Sequence, residues 1–387
     1  MKKYLLALLL LLCFGAFNLF AQPSGSGTAA DPYIIDEEIE LIYTMNQSSL
    51  WGAGIYIELG ADLDMDNTSY SPSPIGNAYN YYRGNFDGKD YTISNITIST
   101  PSPPNSSHVG FFGYVEDARI KNLHLRNVDI SGQYNTAGMC GYNEGGSFNN
   151  CSVTGNVEGL GSGGGFVGGS DGGEYKKCYS ECEVNTSGNN SFGGFVGIDH
   201  SGEYQYCYST GNVDGVNNVG GFIGTCPSAN TSITNCYCTG NVEGYNYIGS
   251  FIGYNKGYIK YCYASGQINL LSGVSYPNIG GFVGWSTANQ DNYECCYWDN
   301  DKNSGYNDSG SPSSDRDNIF GISTSDFADP STFAGCFNIE EGTTWIMSNG
   351  YPVLTVFTIP TLTEWAAISF ISLLAIVGGL FIWRKMA

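Results

Sequence analysis

The sequence predicts an all-β chain wound as a parallel, right-handed β-solenoid, with capping segments at its ends and one C-terminal transmembrane helix. Three observations carry that expectation. Two short strings recur with a single period through the middle of the chain, glycine and tyrosine are abundant while charge is scarce, and one uncharged run lies near the C-terminus. Of 387 residues 13% are charged, and the chain holds 54 glycines and 29 tyrosines, whereas an ordinary domain has about 25% charged residues. Such a composition excludes a coiled coil, and its aromatic content argues against simple disorder. A length beyond the ~250 to 300 residues of a single growing core favours an extended body. The formal net charge is -21, and Lys2, Lys3, Arg384 and Lys385 at the two ends are among only 15 basic residues. So acidic a body repels a phosphate backbone, which excludes nucleic acid as a partner.

In chain order, residues 1–21 read as a secretory signal peptide. A basic start is followed by an apolar run to Phe17 and a small residue at Ala21, the pattern of a cleavable export signal. Residues 22–105 are expected to form a β segment that caps the solenoid, because strand edges left open at its ends invite aggregation. Ile34, Ile35 and Leu41 there, and Trp345 and Val353 at the other end, need places to bury. Residues 106–298 carry the repeats. Residues 299–354 begin with an Asp, Asn, Ser and Gly-rich stretch, expected to be an exposed acidic loop, and continue as a C-terminal cap. Residues 355–387 hold a stalk, a run without charge from Ala366 to Trp383 and a basic end. At ~1.5 Å per residue that run just spans a bilayer, and the basic residues after it keep that end in the cytoplasm. The alternative to processing of this tail is a permanent single-pass anchor, and both place the body outside the cytoplasm.

The repeats are explicit. GFFG (110–113), GMCG (138–141), GFVG (165–168), GFVG (194–197), GFIG (221–224), SFIG (250–253) and GFVG (281–284) recur every 27 to 31 residues. NCSVTGNV, KCYSECEV, YCYSTGNV, NCYCTGNV and YCYASGQI follow them, with CCYWDND as an altered last copy. Two strings locked to one period indicate a repeat architecture whose units are stable only when stacked. This pattern resembles the GLUG motif of bacterial surface proteins, and the resemblance covers residues 25–354. The stretch Ile359, Pro360, Thr361, Leu362 to Trp365, with the apolar run and basic end behind it, resembles the IPTL-CTERM sorting signal of Gram-negative bacteria. That resemblance implies a membrane sorting protease of the exosortase kind as a partner, and display at the cell surface with or without release of the tail.

Strand alternation sorts the side chains of each unit. In YCYSTGNV, Cys207, Ser209, Gly211 and Val213 share one face while Tyr208, Thr210 and Asn212 share the other. The small set suits a tight interior, and Phe111, Met139, Phe166, Phe195, Phe222, Phe251 and Phe282 should stack as one buried column. Cys151, Cys178, Cys207, Cys236, Cys262 and Cys296 fall on another. A column lays them in line one coil apart, which does not suit a tetrahedral zinc site. Neighbouring strands are also slightly too far apart for unstrained disulfides along it. The pairing of Cys140, Cys182, Cys226, Cys238, Cys295 and Cys336 is left open. If the column cysteines point inward, Tyr179, Tyr208, Tyr237, Tyr263 and Tyr297 point outward and stack as an aromatic stripe.

No catalytic constellation emerges. The histidines are His108, His124 and His200, and none lies in an HExxH. Asp62, Asp64 and Asp66, and Asp299, Asp301 and Asn303, are candidate calcium ligands, but the second set lacks the glycine position and closing glutamate of a calcium loop. No cofactor is otherwise implied. The sequence reading is an exported, surface-displayed, non-enzymatic repeat protein, adhesin-like or structural. Its tyrosine stripe would bind surface glycans or protein partners. The alternative is a carbohydrate-active enzyme, a polysaccharide lyase or glycosidase on a β-helix scaffold. A groove across the coils with converging acids and a basic residue would mark that alternative.

Overall fold

Each coil visits four strand positions in turn. In the coil around Phe195, Glu174–Lys176 leads to Tyr179–Thr186, then Phe192–Gly193, then Val196–Asp199; Glu203–Gln205 then opens the next coil directly over Glu174–Lys176. The structure, a computed structural model, describes residues 22–355 apart from 68–72, 100–106, 187, 189, 273–277, 288–291, 311–312, 315, 338 and 340–343. It is an all-β parallel solenoid of about nine turns with little helix. Among the described residues the four positions build sheets of ten, fourteen, seven and nine strands, called here the first to the fourth sheet in the order a coil visits them. Pairing between coils is parallel from Tyr33↔Ile57 to Tyr297↔Phe320.

The period is fixed at the corners. Asn122, Asn150, Lys177, Tyr206, Asn235, Tyr261 and Cys295 all take φ between 51° and 56°, immediately before the residue that points into the core. Asparagine tolerates this left-handed conformation better than most residues, which accounts for the asparagine that opens several of the second strings. Asn150 Nδ2 also donates to Asn122 Oδ1 at 3.0 Å, and Asn122 Nδ2 to Asp87 Oδ1 at 3.0 Å. Gly165 opens a GFVG string for a different reason: a Cβ there would lie 2.1 Å from Ser180 Oγ and 2.3 Å from the Gly194 carbonyl.

Inside, the expected phenylalanine column forms. Phe111, Met139, Phe166, Phe195, Phe222, Phe251 and Phe282 are fully buried. Consecutive rings from Phe166 to Phe282 lie 4.7 to 5.2 Å apart and nearly parallel, the strand spacing itself. The column cysteines are buried free thiols, and burial pushes their pKa values up. They pack as small apolar residues. A second interior column comes from the first sheet, where Tyr175 and Tyr204 stack at 4.8 Å and meet the phenylalanines edge-on.

The ends differ from the sequence reading in three ways. Residues 22–105 contribute coils of their own, but also the helix Glu38–Asn46, whose Leu41 and Met45 are buried in the core cluster that holds Ile35 and Ile57. The stretch 299–318 is not simply an exposed acidic loop. Asp299, Asn303, Asp308 and Ser309 are buried, Asn303 Nδ2 donates to the Gly266 carbonyl at 2.9 Å, and Trp298 Nε1 donates to Asp308 Oδ1 at 2.7 Å. The polar residues there replace the strand partners that a regular coil would offer. The C-terminal segment, finally, lies on the flank of the second sheet. The signal peptide, the sorting motif at Ile359, Pro360, Thr361, Leu362 and Trp365, and the expected transmembrane helix lie outside the described residues. Among those described, no helix is long and apolar enough to cross a membrane.

Candidate functional site

The residue that follows each core-facing cysteine points away from the core, so one outward residue per coil falls in a straight row. Its in-register order is Thr92, His124, Ser152, Tyr179, Tyr208, Tyr237, Tyr263, Tyr297 and Phe320. Four of the five tyrosines stack as expected: Tyr179 on Tyr208 at 4.7 Å, Tyr208 on Tyr237 at 4.9 Å and Tyr237 on Tyr263 at 5.1 Å, all within 8° of parallel, whereas the Tyr297 ring meets Phe320, Phe333 and Phe337 instead.

The stripe is not an open flank. Tyr208, Tyr237, Tyr263 and Tyr297 are between 0% and 9% exposed, and the described residues of 323–355 lie across Tyr237, Tyr263 and Tyr297. This cover brings the short helix Thr324–Phe327, the turn Pro330–Phe333 and the antiparallel pair Trp345–Ser348 with Tyr351–Leu354. Phe327 and Phe337 meet Tyr263, and Trp345 meets both Tyr237 and Tyr263. Tyr263 donates its hydroxyl hydrogen to the Pro352 carbonyl at 2.8 Å, and Trp345 Nε1 donates to Asn235 Oδ1 at 3.2 Å. Cys336 in the cover is disulfide-bonded to Cys295 at the last corner of the solenoid. The expectation that all five rings face solvent is therefore corrected, with Tyr179 alone of the five half-buried. Alternation gives the direction of a side chain but says nothing of what lies above it.

Further along the row, among the described residues, lies a slot of about 450 Å³, lined by Thr92, His124, Leu125, Arg126, Ser152, Thr154, Tyr179 and Glu181. Ser152, nearly buried, stands where the next tyrosine of the ladder would lie, between Tyr179 on one side and His124 on the other. Two strand spacings, roughly 9 to 10 Å, separate those walls. Ser152 Oγ and His124 Nδ1 are 2.8 Å apart, and His124 Nε2 lies 3.6 Å from Asp90 Oδ1. Arg126, Thr154 and Glu181 flank the slot one step further along their strands. Tyr179 thus borders the slot together with His124, the guanidinium of Arg126, the acid Glu181 and the hydroxyls of Thr92, Ser152 and Thr154. Of these residues the sequence reading singles out only Tyr179, as a stripe tyrosine, and His124, as a lone histidine. The repeat alignment held the clue, since NLHLRNV from Asn122 occupies the register of NCSVTGNV and puts His124 in the tyrosine row.

The other candidates do not converge. Asp62 Oδ1 accepts from the Thr92 N–H, and Asp64 Oδ1 accepts from Asn95 Nδ2, both at 2.7 Å; the Asn95 bond holds the Asp64 carboxyl below its usual range. Asp299 accepts from the Thr324 hydroxyl and the Lys302 N–H, and Asp301 from the Thr324 N–H. Among the described residues no three His, Cys, Asp or Glu side chains gather as a metal site would require. A groove on the first sheet, also about 450 Å³, carries charges that answer one another: Lys121 Nζ lies 3.0 Å from Asp87 Oδ2, and Lys89 Nζ 3.3 Å from Glu58 Oε2.

No protein-family model matches the sequence. Halomucin of Haloquadratum walsbyi is 31% identical over 156 residues, 38% of this chain and 2% of that protein. A "Putative Gly-rich membrane protein" of Evansella cellulosilytica is 28% identical over 118 residues, 29% of this chain and 12% of that one. The chain thus spans only a small part of these curated relatives. Among solved structures, the "Crystal structure of a putative immunoglobulin A1 protease from Bacteroides ovatus" superposes with a TM-score of 0.60 at 22% identity, covering 86% of this chain and 95% of that one. This likeness shows a shared fold. The expectation of a non-enzymatic chain is corrected accordingly: the same solenoid is found in a chain described as a "putative immunoglobulin A1 protease", so the fold does not exclude an enzyme.

Proposed function

We propose that this chain is an exported repeat protein, displayed at the cell surface, whose solenoid binds a sugar ring of a surface glycan in the slot over Ser152. The observation that carries the reading is the slot of about 450 Å³ in which Tyr179 stands among hydroxyl, acidic and basic side chains. A flat apolar ring face suits the apolar face of a pyranose, and the surrounding hydroxyls and charges suit its hydroxyl groups. The GLUG-like repeats, the export signal and the IPTL-like tail, read as the substrate of a sorting protease, support display outside the cytoplasm, as does the partial match to halomucin. A glycan array followed by calorimetry tests the reading. Tyr179→Thr, which keeps strand propensity and removes the ring, should weaken binding at least about tenfold, as the loss of ~1.4 kcal/mol of stacking would. Equal affinity in wild type and variant, or no bound glycan at all, overturns it.

A second reading is cleavage of the bound partner, because the slot crosses several coils and brings His124, Arg126, Tyr179 and Glu181 together. The substrate would be a polysaccharide or, given the protease named for the Bacteroides ovatus chain, a glycoprotein such as immunoglobulin A1. Incubation of the protein with both classes, with products read by mass spectrometry, tests this reading. Turnover that survives both Glu181→Gln and His124→Ala would place the chemistry elsewhere.

A further inference from the structure

The cover over the ladder has a hydrophobic cluster of its own. Phe327, Phe333, Phe337, Trp345 and Leu354 pack with the covered tyrosines on the outer side of the second sheet, apart from the interior cluster of phenylalanines and cysteines. Lifting the cover therefore exposes the ladder without opening the core. The cover follows directly from the last solenoid strand, Ile319–Ile322, and among the described residues its further covalent tie is the Cys295–Cys336 disulfide. Cys295 is suited to this by position. It occupies the left-handed corner and points out to Cys336, while the adjoining Cys296 points into the core.

We propose that the described residues of 323–355 form a disulfide-held strap that masks Tyr237, Tyr263 and Tyr297 of the ladder, and that opening of Cys295–Cys336 by a dithiol lets the strap lift. In that step the dithiol supplies two electrons and two protons. The sulfur–sulfur bond breaks, each cysteine sulfur becomes a thiol, and the dithiol closes to its own disulfide. Without the tie, the open state regains the chain entropy of the loop between the two cysteines, which are 41 positions apart. That term is large enough to raise the open population by tenfold or more. Since the ladder continues from Tyr179 at the slot wall, release of the strap regulates that site, and this consequence rests on the glycan reading above.

Tyrosine nitration by tetranitromethane, mapped by peptide mass spectrometry, tests the strap. The double variant Cys295→Ser with Cys336→Ser removes the tie without leaving two thiols to consume the reagent. Tyr237 and Tyr263 should then react about tenfold faster or more than in the oxidised wild type, while the interior Tyr175 and Tyr204 stay unreactive. Unchanged rates at Tyr237 and Tyr263 overturn the proposal. Reaction at Tyr175 and Tyr204 also overturns it, since the segment would then be needed to hold the solenoid closed. Calorimetry with the array-selected glycan separates the two readings: a wild type that binds none sinks the slot, and the nitration rates still decide the strap.

Discussion

Asp199 sits where four of the other coils place asparagine or serine. The in-register position is Asn143 and Ser170 in the preceding coils, and Asn255 and Ser286 follow further along. Asn143 Nδ2 donates to the Gly146 carbonyl and to Tyr175 Oη, while its Oδ1 accepts from the Gly146 N–H. Asp199 does the equivalent work with a carboxyl group, accepting from the Gly202 N–H at 2.9 Å, from the Tyr204 hydroxyl at 2.7 Å and from the Thr231 hydroxyl. It has no solvent exposure, and burial pushes its pKa up despite those donors. A raised folded pKa means that the protonated form is favoured by folding. This stabilisation is complete below the unfolded pKa near 3.9 and is lost as pH rises through the folded value. Asp199→Asn keeps the geometry and removes the charge. Its thermal midpoint should exceed that of the wild type at neutral pH, with about 1 kcal/mol giving roughly 2 to 4 °C, and the difference should vanish near pH 3. Melting curves across that range check the sign, and a constant difference would mean that Asp199 does not titrate with folding.

The strands and columns were legible because their cause is local and recurrent. A phenylalanine at one string position in successive coils has one place to go, and the rings from Phe166 to Phe282 stack there. Phe222 lies between Phe195 at 5.0 Å and Phe251 at 5.2 Å. Phe222→Ala should therefore cost ~3 to 5 kcal/mol through lost burial and a cavity, read as a lower denaturant midpoint; a loss under ~1 kcal/mol would show that the column relaxes around the gap. The cover was not legible. Tyr263 meets Pro352 across 89 positions, and residues 323–355 share no string with the solenoid. The helix Glu38–Asn46 was missed for another reason: nine residues are too few to stand out against strand-rich surroundings, although Leu41 and Met45 are spaced for one helical face. The slot falls between these cases. His124 was visible as a lone histidine, but only the continued register of the tyrosine row gives it a neighbour in Tyr179.

At the scale of the molecule, each coil touches its neighbours and little else, so stability should be close to a sum of coil and interface terms. Removing residues 178–206 tests this. The cut joins Lys177 to Cys207 and replaces one left-handed corner, Lys177 followed by Cys178, with an equivalent one, because Tyr206 shares that conformation. After removal, Phe166 would stack on Phe222, Glu174–Lys176 would pair with Ser232–Thr234, and Tyr208 would take the place of Tyr179 beside Ser152. The strap rests on Tyr237, Tyr263 and Tyr297 beyond the cut, and the disulfide stays in place. The shortened chain should fold with the same far-UV circular dichroism per residue, and its longest dimension in solution scattering should fall by ~5 Å, one strand spacing. Its glycan binding should survive in part, since an aromatic ring still borders the slot although Glu181 is gone. A chain that fails to fold after losing a whole coil in register would show that the interior is a single cooperative core whose parts are not interchangeable, and nearest-neighbour stacking would fall with it.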